Sequence, residues 1–163
     1  MNAQIRIAES NDMAQVLRLI TELAVYEKEP DAVEITVDDL IAYGTGEDRD
    51  FTCFIAEREG DILGIALVYF RFSTWKGRTV HLEDLIVREQ YRGQGIGVAL
   101  YTEVINYTYS LGLKRVEWVV LDWNTNAVDF YQRSGATVMQ EWNTVQMDTQ
   151  AMKQFLVSKG KID

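Results

Sequence analysis

Cysteine, histidine and proline are scarce in this chain of 163 residues, which contains one of each: Cys53, His81 and Pro30. A single cysteine excludes an intramolecular disulfide and a metal cluster held by cysteines. No set of metal ligands surrounds the single histidine in the sequence. We therefore predict no metal site, and we expect His81 to fill a strand rather than to act as a ligand or a triad base.

Long apolar segments and positive charge are also in short supply. The first ten residues include Arg6 and Glu9, and no later stretch is long enough to span a bilayer, so we expect no signal peptide, no membrane partner and a cytoplasmic location. Lys and Arg number 16 against 25 Asp and Glu, a formal net charge of −9. This charge repels nucleic-acid phosphates and favours a cationic partner, although it also serves to keep a protein in solution.

Length and composition indicate a single domain over residues 1–163. One domain commonly has about 100–200 residues, and a chain of this size can bury a substantial core. The hydrophobic fraction of 47% and the charged fraction of 25% are those of a globular chain, and they exclude a disordered one.

The spacing of apolar residues predicts alternating helices and strands. Helical spacing follows the candidate caps Ser10 or Asn11, Thr36 and Thr149, and a helix is expected to begin near Gly95. A turn at residues 122–124 is expected to lead into another helix over residues 125–133. Alternating or β-branched segments predict strands at residues 4–8, 51–57, 62–72, 79–87, 115–121 and 144–147. A turn at residues 59–61 indicates a hairpin, and the strand at 115–121 is expected to run parallel to the one at 79–87. The predicted fold class is α/β (α+β), a mixed and mostly antiparallel central sheet with helices on both faces.

A glycine turn between a strand and a helix stands out at residues 92–97, Arg92-Gly93-Gln94-Gly95-Ile96-Gly97. Glycine lacks Cβ, so the backbone there can take unusual φ values and a ligand can approach it closely. A helix that begins near Gly95 adds unpaired N–H groups and the positive end of its dipole. With the guanidinium of Arg92 at its rim, the turn is predicted to bind phosphate.

The spacing of the glycines distinguishes among phosphate-binding turns. A Rossmann fingerprint counted from Gly93 would need a third glycine where Val98 stands, and no Gly-Lys-Ser/Thr of a Walker loop occurs in the chain. The pattern R-x-x-G-x-G after an acidic and then apolar strand resembles the acetyl-CoA pyrophosphate loop of the GNAT N-acetyltransferases. An ordinary glycine-rich turn between a strand and a helix stays open as the alternative.

The resemblance extends over nearly the whole chain. The order of the elements, the R-x-x-G-x-G turn, and Asn124 followed by Phe-Tyr-Gln-Arg-Ser-Gly-Ala at residues 130–136 are together similar to a GNAT domain. Five segments are more closely similar to the diamine (spermidine/spermine) acetyltransferases and their thialysine-acetylating relatives, and these are residues 23–27, 69–75, 82–84, 91–97 and 123–124.

This resemblance implies an enzyme that transfers acetyl from acetyl-CoA to a primary amine of a small cationic substrate, directly within a ternary complex, and that forms a homodimer. It assigns cofactor binding to Leu85, Ile86, Val87, Arg92, Gly93, Gln94, Gly95, Ile96, Gly97, Val98, Asn124, Tyr131 and Arg133. It assigns the amine pocket to Tyr26, Glu27, Trp75, Glu83 and Asp84. In the family's mechanism, Tyr131 would be the proton donor to the thiolate and Glu83 the base, acting through water.

Some positions depart from the family pattern or have a plainer interpretation. The polyamine enzymes carry aspartate two residues before the pocket tryptophan, where this chain has Ser73; its absence favours a shorter diamine, a thialysine-like amino acid or another small amine. Tyr131 and Trp75 could simply pack. Glu83 and Asp84 would lie on opposite faces of a regular strand, so a shared pocket requires a bulge.

Two other functions stay open on the sequence. The glycine turn alone would also suit a non-catalytic module that binds or senses acyl-CoA. Protein N-terminal and lysine acetyltransferases share the same scaffold as enzymes that act on small molecules. The first alternative has no need for Tyr131 and Glu83, and the acidic pocket residues argue against the second.

Overall fold

The computed structural model describes residues 3–162, which divide into two compact units, one up to Val119 and the other from Val120 onward. The elements of the first unit are β1 (Gln4–Ile7), α1 (Met13–Tyr26), α2 (Val37–Gly44), β2 (Phe51–Arg58), β3 (Asp61–Ser73), β4 (Gly77–Val87), α3 (Ile96–Ser110) and β5 (Val116–Glu117), with short 3₁₀ turns at Ser10–Asp12 and Glu89–Tyr91. The second unit contains α4 (Thr125–Arg133) and α5 (Thr149–Ser158). The single domain over residues 1–163 stays a prediction.

The first unit is built on a five-stranded sheet in the order β1-β2-β3-β4-β5. The first three pairings are antiparallel, and β4 and β5 are parallel. The prediction of a mixed, mostly antiparallel sheet is therefore confirmed, as are the hairpin and the direction of the fifth strand. That fifth strand is shorter than expected, because only Val116 and Glu117 pair with β4.

Both faces of the sheet are covered by helices, as predicted. Helices α1 and α2 pack Met13, Val16, Leu19 and Leu40 against alternate strand residues, which are Cys53, Ile55, Ile65, Leu67 and Ile86. The intervening residues meet α3, since the rings of Phe54 and Phe70 lie 5.4 and 6.2 Å from the ring of Tyr107. The period of two along each strand thus separates two apolar layers.

The cap of the second helix was predicted correctly, and that of the first was not. Thr36 Oγ1 accepts a hydrogen bond from the Asp39 amide at 3.2 Å at the start of α2. Before α1, neither Ser10 nor Asn11 supplies a cap; the amide of Glu9 donates instead to Asp12 Oδ2 at 2.7 Å, and a 3₁₀ turn leads into the helix. Arg6 holds the Asp12 carboxylate from β1 at 2.6 Å, a contact that sequence spacing does not reveal.

The second unit has helices but no strand among its described residues. The strand predicted at residues 144–147 is wrong. An isolated strand has nowhere to direct its backbone hydrogen bonds, and no other strand lies among residues 120–162 to pair with it. The cap of α5 is Asp148 rather than Thr149, since Asp148 Oδ1 accepts from the Ala151 amide at 2.6 Å. Over residues 3–162, no helix is long and apolar enough to cross a membrane.

Candidate active site

The glycine turn after β4 takes the open form that its sequence predicts. Gly93 and Gly95 have φ values of 75° and 81°, in the left-handed region that favours glycine. Gly95 caps α3 without any side-chain hydrogen bond to the helix. The first amides of α3 have no partner within the helix, so they remain available to an anion. A Cβ added at either glycine would meet no atom within 4 Å, which leaves the space above the backbone open.

Two guanidinium groups flank this turn. Arg92 Nε donates to the carbonyl of Val87 at 3.0 Å, and its Cζ lies 5.4 Å from the ring centroid of Tyr26. Arg58, at the end of β2, donates from Nη2 to Gln94 Oε1 at 3.4 Å, and its Cζ lies 5.4 Å from the ring centroid of Tyr91. Arg92 was predicted as a site residue and Arg58 was not. Together they place two positive charges beside backbone amides that attract anions.

Among residues 3–119, the described part of the first unit, no strand pairs with the edge of β4 that leads to the turn. β5 pairs only with Val80 and His81, and the register ends there. The rest of β4, including Leu85, Ile86 and Val87, is paired on the β3 side alone. An extended chain with amide groups could therefore form hydrogen bonds to this edge in the manner of an added strand.

A β-bulge places two carboxylates side by side on β4. Leu67 lies opposite Asp84 and Val68 opposite Leu82, so Glu83 is the extra residue. Because β4 has one more residue than β3 at this point, the alternation of its side chains between the two faces of the sheet is interrupted. This is the condition under which both acidic side chains can share a pocket. Glu27 at the end of α1 is close enough to act electrostatically on both.

The three carboxylates Glu27, Glu83 and Asp84 form a cluster of like charge. Burial raises the pKa of Asp84 to about 7, and the charges of Glu83 and Glu27 add to the increase. Partial burial also raises the pKa of Glu27, with a contribution from Glu83. Because each carboxylate disfavours ionisation of the next, a bound ammonium group would be stabilised by all three.

Glu83 has polar neighbours on β3 and β4 that the sequence had not indicated. Its side chain is 52% exposed, and its Oε2 lies 3.5 Å from Nε2 of His81. Burial raises the pKa of Tyr69, and a hydrogen bond between its hydroxyl and Glu83 adds to the increase. The positions of His81 and Tyr69 relative to Glu83 could have indicated these contacts. His81 is two residues before Glu83 on the same strand, and Tyr69 lies directly opposite His81.

The proposed pocket residue Trp75 lies at the tip of the β3–β4 hairpin. It is 80% exposed. Ser73 Oγ accepts hydrogen bonds from the amides of Trp75 and Lys76, both at 3.2 Å, so the serine closes this turn. Glu83 lies six positions beyond Gly77 along β4, a length of about 20 Å. Within one chain, the hairpin tip is therefore not brought to the carboxylate cluster.

The predicted site residues of the second unit all lie on or beside α4. Asn124 caps this helix, with Oδ1 accepting from the Ala127 amide at 3.4 Å. Tyr131 is 8% exposed, and its ring centroid lies 5.4 Å from that of Phe130. Arg133 Nε donates to the carbonyl of Asp129 at 3.2 Å. The helix covers residues 125–133, as the sequence predicted.

An open strand edge that runs into a glycine turn at a helix N-terminus can hold an acyl-CoA, whose amides can pair with the edge and whose pyrophosphate suits the turn. Comparison with known sequences makes the assignment specific. The chain belongs to the acetyltransferase (GNAT) family, whose model matches residues 13–136. It is an N-acetyltransferase with acetyl-CoA as cosubstrate, and its homologues support an amine as the acceptor. Between residues 3 and 162, no group of three or more His, Cys, Asp or Glu residues is arranged to hold a metal ion.

Individual relatives cover most of the chain. It is 39% identical over 162 residues to a thialysine N-epsilon-acetyltransferase of Bos taurus, with 93% of this chain and 95% of that protein covered. It is 34% identical over 140 residues to a spermidine/spermine N(1)-acetyltransferase-like protein 1 of Homo sapiens, with 82% of this chain and 20% of that protein covered. An integron cassette protein from the V. cholerae mobile metagenome has the same fold, with a TM-score of 0.77, 21% identity, and coverage of 95% and 98%.

Proposed function

We propose that this enzyme acetylates the side-chain amine of a small cationic acceptor, either a thialysine-like amino acid or a short diamine. The observation that carries the proposal is the cluster of Glu27, Glu83 and Asp84, which gathers negative charge beside the open edge of β4. The name of the bovine relative supports an acceptor of the thialysine type. Because Ser73 replaces a carboxylate of the polyamine enzymes, we expect long polyamines to be poorer acceptors.

The cosubstrate would be held by backbone more than by side chains. Amides of residues 93–98 and the guanidinium of Arg92 would bind the pyrophosphate. The open space above Gly93 and Gly95 suits such a group, since a Cβ at either position would project into it. Residues 85–87 would pair with the pantetheine amides. Asn124 and Arg133 would contact the remainder of the cosubstrate.

Glu83 would act as the base, through a water molecule. An alkyl ammonium with a pKa of about 10.4 is neutral in only a few parts in ten thousand at pH 7, so deprotonation needs assistance. Asp84 and Glu27 would hold the ammonium while Glu83 removes one proton. The amine nitrogen then forms the bond to the acetyl carbon as the bond from that carbon to sulfur breaks. The nitrogen loses its second proton as the amide forms, and the departing thiolate takes up a proton to give the free thiol of CoA.

Tyr131 would assist the departing thiolate. A phenol with a pKa of about 10 does not fully protonate a thiolate whose acid has a pKa of about 8.5. A hydrogen bond that strengthens as charge develops on sulfur would still lower the barrier. Cys53 does not offer a covalent route, because it is 1% exposed and burial raises the pKa of its thiol far above the usual range. Transfer is therefore proposed to be direct, with sequential kinetics.

The test is an acceptor panel followed by two mutants. Purified enzyme with acetyl-CoA should release thiol fastest with thialysine, lysine or putrescine, more slowly with spermine, and negligibly with a peptide. With the best acceptor, Glu83→Gln and Tyr131→Phe should each lower kcat by about 10²-fold while CoA affinity stays near wild type. Tyr109→Phe, at a position 84% exposed, is the matched control. Parallel-line kinetics, or unchanged kcat in both mutants, would refute the mechanism.

The oligomeric state is inferred from the family resemblance, because a single chain does not reveal it. We propose a homodimer. Phe72 and Trp75, each 80% exposed on the hairpin, are large apolar side chains of the kind that an interface covers.

A further inference from the structure

A chain of polar side chains connects β5 to Glu83 across the sheet. Arg115 Nε lies 3.1 Å from Glu117 Oε2, and Glu117 Oε1 lies 2.9 Å from Arg71 Nη1. The same Arg71 nitrogen lies 3.2 Å from His81 Nδ1. On the other side of the ring, His81 Nε2 lies 3.5 Å from Glu83 Oε2. The imidazole therefore stands between a guanidinium and the carboxylate to which we assign the role of base.

The contact with Arg71 determines which ring nitrogen of His81 carries the proton. A guanidinium can only donate hydrogen bonds, so Nδ1 must accept and the proton must be on Nε2, which faces Glu83. The groups that face His81 are Glu83 on its own strand, Arg71 and Tyr69 on β3, and Glu117 on β5. Burial lowers the pKa of His81; Glu83 and Glu117 oppose this effect, and Arg71 adds to it. A lowered pKa favours the neutral ring at pH 7, and its one N–H is then on the side of Glu83.

Glu83 needs such partners because of where it lies. It is the extra residue of the bulge and is 52% exposed. A glutamate in that position has several rotamers open to it, and fixing one of them costs side-chain entropy. The hydroxyl of Tyr69 donates a hydrogen bond to this carboxylate, and His81 Nε2 lies 3.5 Å from its Oε2, at the outer limit of hydrogen-bond distance.

We propose that His81 is a positioning residue for Glu83. With Nδ1 engaged by Arg71, its Nε2–H acts together with the Tyr69 hydroxyl to hold the carboxylate in the orientation in which it serves as the base. This inference rests on the proposed function of Glu83, and it extends that function to a side chain that touches neither substrate.

The tautomer can be measured directly, because His81 is the only histidine in the chain. Long-range ¹H–¹⁵N NMR of tag-free protein at pH 7 should show a neutral ring protonated on Nε2. Glu83→Gln should lower the pKa of His81, since it removes an anion that raises it, and Arg71→Met should raise that pKa for the opposite reason. The proposal would be overturned if the proton were on Nδ1 or if the ring were charged at pH 7. It would also be overturned if the pKa of His81 were unchanged in Glu83→Gln.

Kinetics test the consequence for catalysis. His81→Phe keeps a ring and loses both nitrogens, and it should lower kcat about tenfold with the KM for acetyl-CoA unchanged. His81→Gln should restore most of the activity, because its amide can accept from Arg71 and donate to Glu83 at once. Melting temperatures of both variants show that they fold. If both fold and Gln is no better than Phe, or if Phe retains wild-type kcat, His81 does not position the base.

Glu83→Gln separates the failure of this inference from failure of the proposed function. Wild-type kcat in Glu83→Gln would reject the base itself. A large loss in Glu83→Gln together with full activity in His81→Phe would reject only the role of His81.

Discussion

Asp84 combines a cost for folding with the benefit for amine binding that we propose. Burial, with the charges of Glu83 and Glu27, raises its pKa to about 7 from 3.8. Between these two pH values the folded state holds a proton that the unfolded state has released. The free energy of unfolding therefore falls as the pH rises from about 4 to about 7, and it stays lower above that window. Only in the upper part of the range is Asp84 ionised and able to attract an ammonium.

Asp84→Asn should separate the two effects. At pH 8 the variant should be more stable than wild type, by at most about 4 kcal/mol for a shift of three pKa units, and the difference should shrink as the pH falls toward about 5.5. Its kcat/KM for the amine should drop by about 10–100-fold, since one charged partner of the ammonium is lost. Urea unfolding at both pH values and steady-state kinetics are the measurements. Lower stability of the variant at pH 8 would contradict the assignment of Asp84 as a costly ionised group.

The sequence indicates the roles of some site residues better than those of others. Glu83 and Asp84 were assigned to the site by the family resemblance, and the cost of burying acidic side chains among apolar strand residues supports that assignment, which stays a prediction. His81 was expected only to fill a strand, since its significance comes from Arg71 across the hairpin and Glu117 on β5. Arg58 was missed for a similar reason, because it reaches the glycine turn from a different strand. Such contacts depend on register, which spacing along one segment does not fix.

Among the elements, those predicted best have their partners close by in sequence. Strands β2, β3 and β4 pair with neighbours along the chain, and the alternation of their apolar residues specifies the pairing. The predicted strand at 144–147 has the same alternation, but the described part of its unit contains no strand that could pair with it. Its Val145 is 88% exposed. Alternation shows which face a strand would bury, but it does not supply the strand that must lie beside it.

The backbone conformation of the glycine turn can be tested by substitution at Gly95. Gly95→Val should weaken CoA binding by about tenfold or more, because its side chain would occupy the space that the pyrophosphate is proposed to fill and would strain a backbone with φ of 81°. Gly112→Val is the matched control: it also has a positive φ, 66°, with open space around it, and it ends α3 away from the turn. Calorimetry with CoA and melting temperatures would be measured for both.

The control separates strain from loss of the site. Both valines should cost about 1–2 kcal/mol of stability, as left-handed backbone does for residues with a Cβ. Only Gly95→Val should lose affinity. Equal affinity in Gly95→Val and wild type, or equal losses in the two variants, would remove the turn from the cosubstrate site.

Over the whole molecule, charge is distributed in a way that suits two substrates of opposite sign. The formal net charge is −9, and Glu27, Glu83 and Asp84 concentrate negative charge at the proposed amine pocket. The glycine turn is the exception, with Arg58 and Arg92 beside free amides. A field of this kind raises the local concentration of cations, and salt screens it over a Debye length of about 10 Å at 0.1 M ionic strength.

Added salt should therefore lower kcat/KM more for acceptors that carry more positive charge. With acetyl-CoA saturating, kcat/KM for putrescine, a dication, should fall more steeply than that for n-butylamine, a monocation of equal length, as NaCl rises from about 0.05 to 0.5 M. The monoamine is the matched control, because it shares the reacting group and the chemical step. Asp84→Asn should flatten the slope for putrescine, since it removes one of the charges that the second ammonium senses. Initial rates at low acceptor concentration give kcat/KM directly. Equal slopes for the two amines would mean that the carboxylates hold only the reacting nitrogen, and that the wider negative field does not select the acceptor.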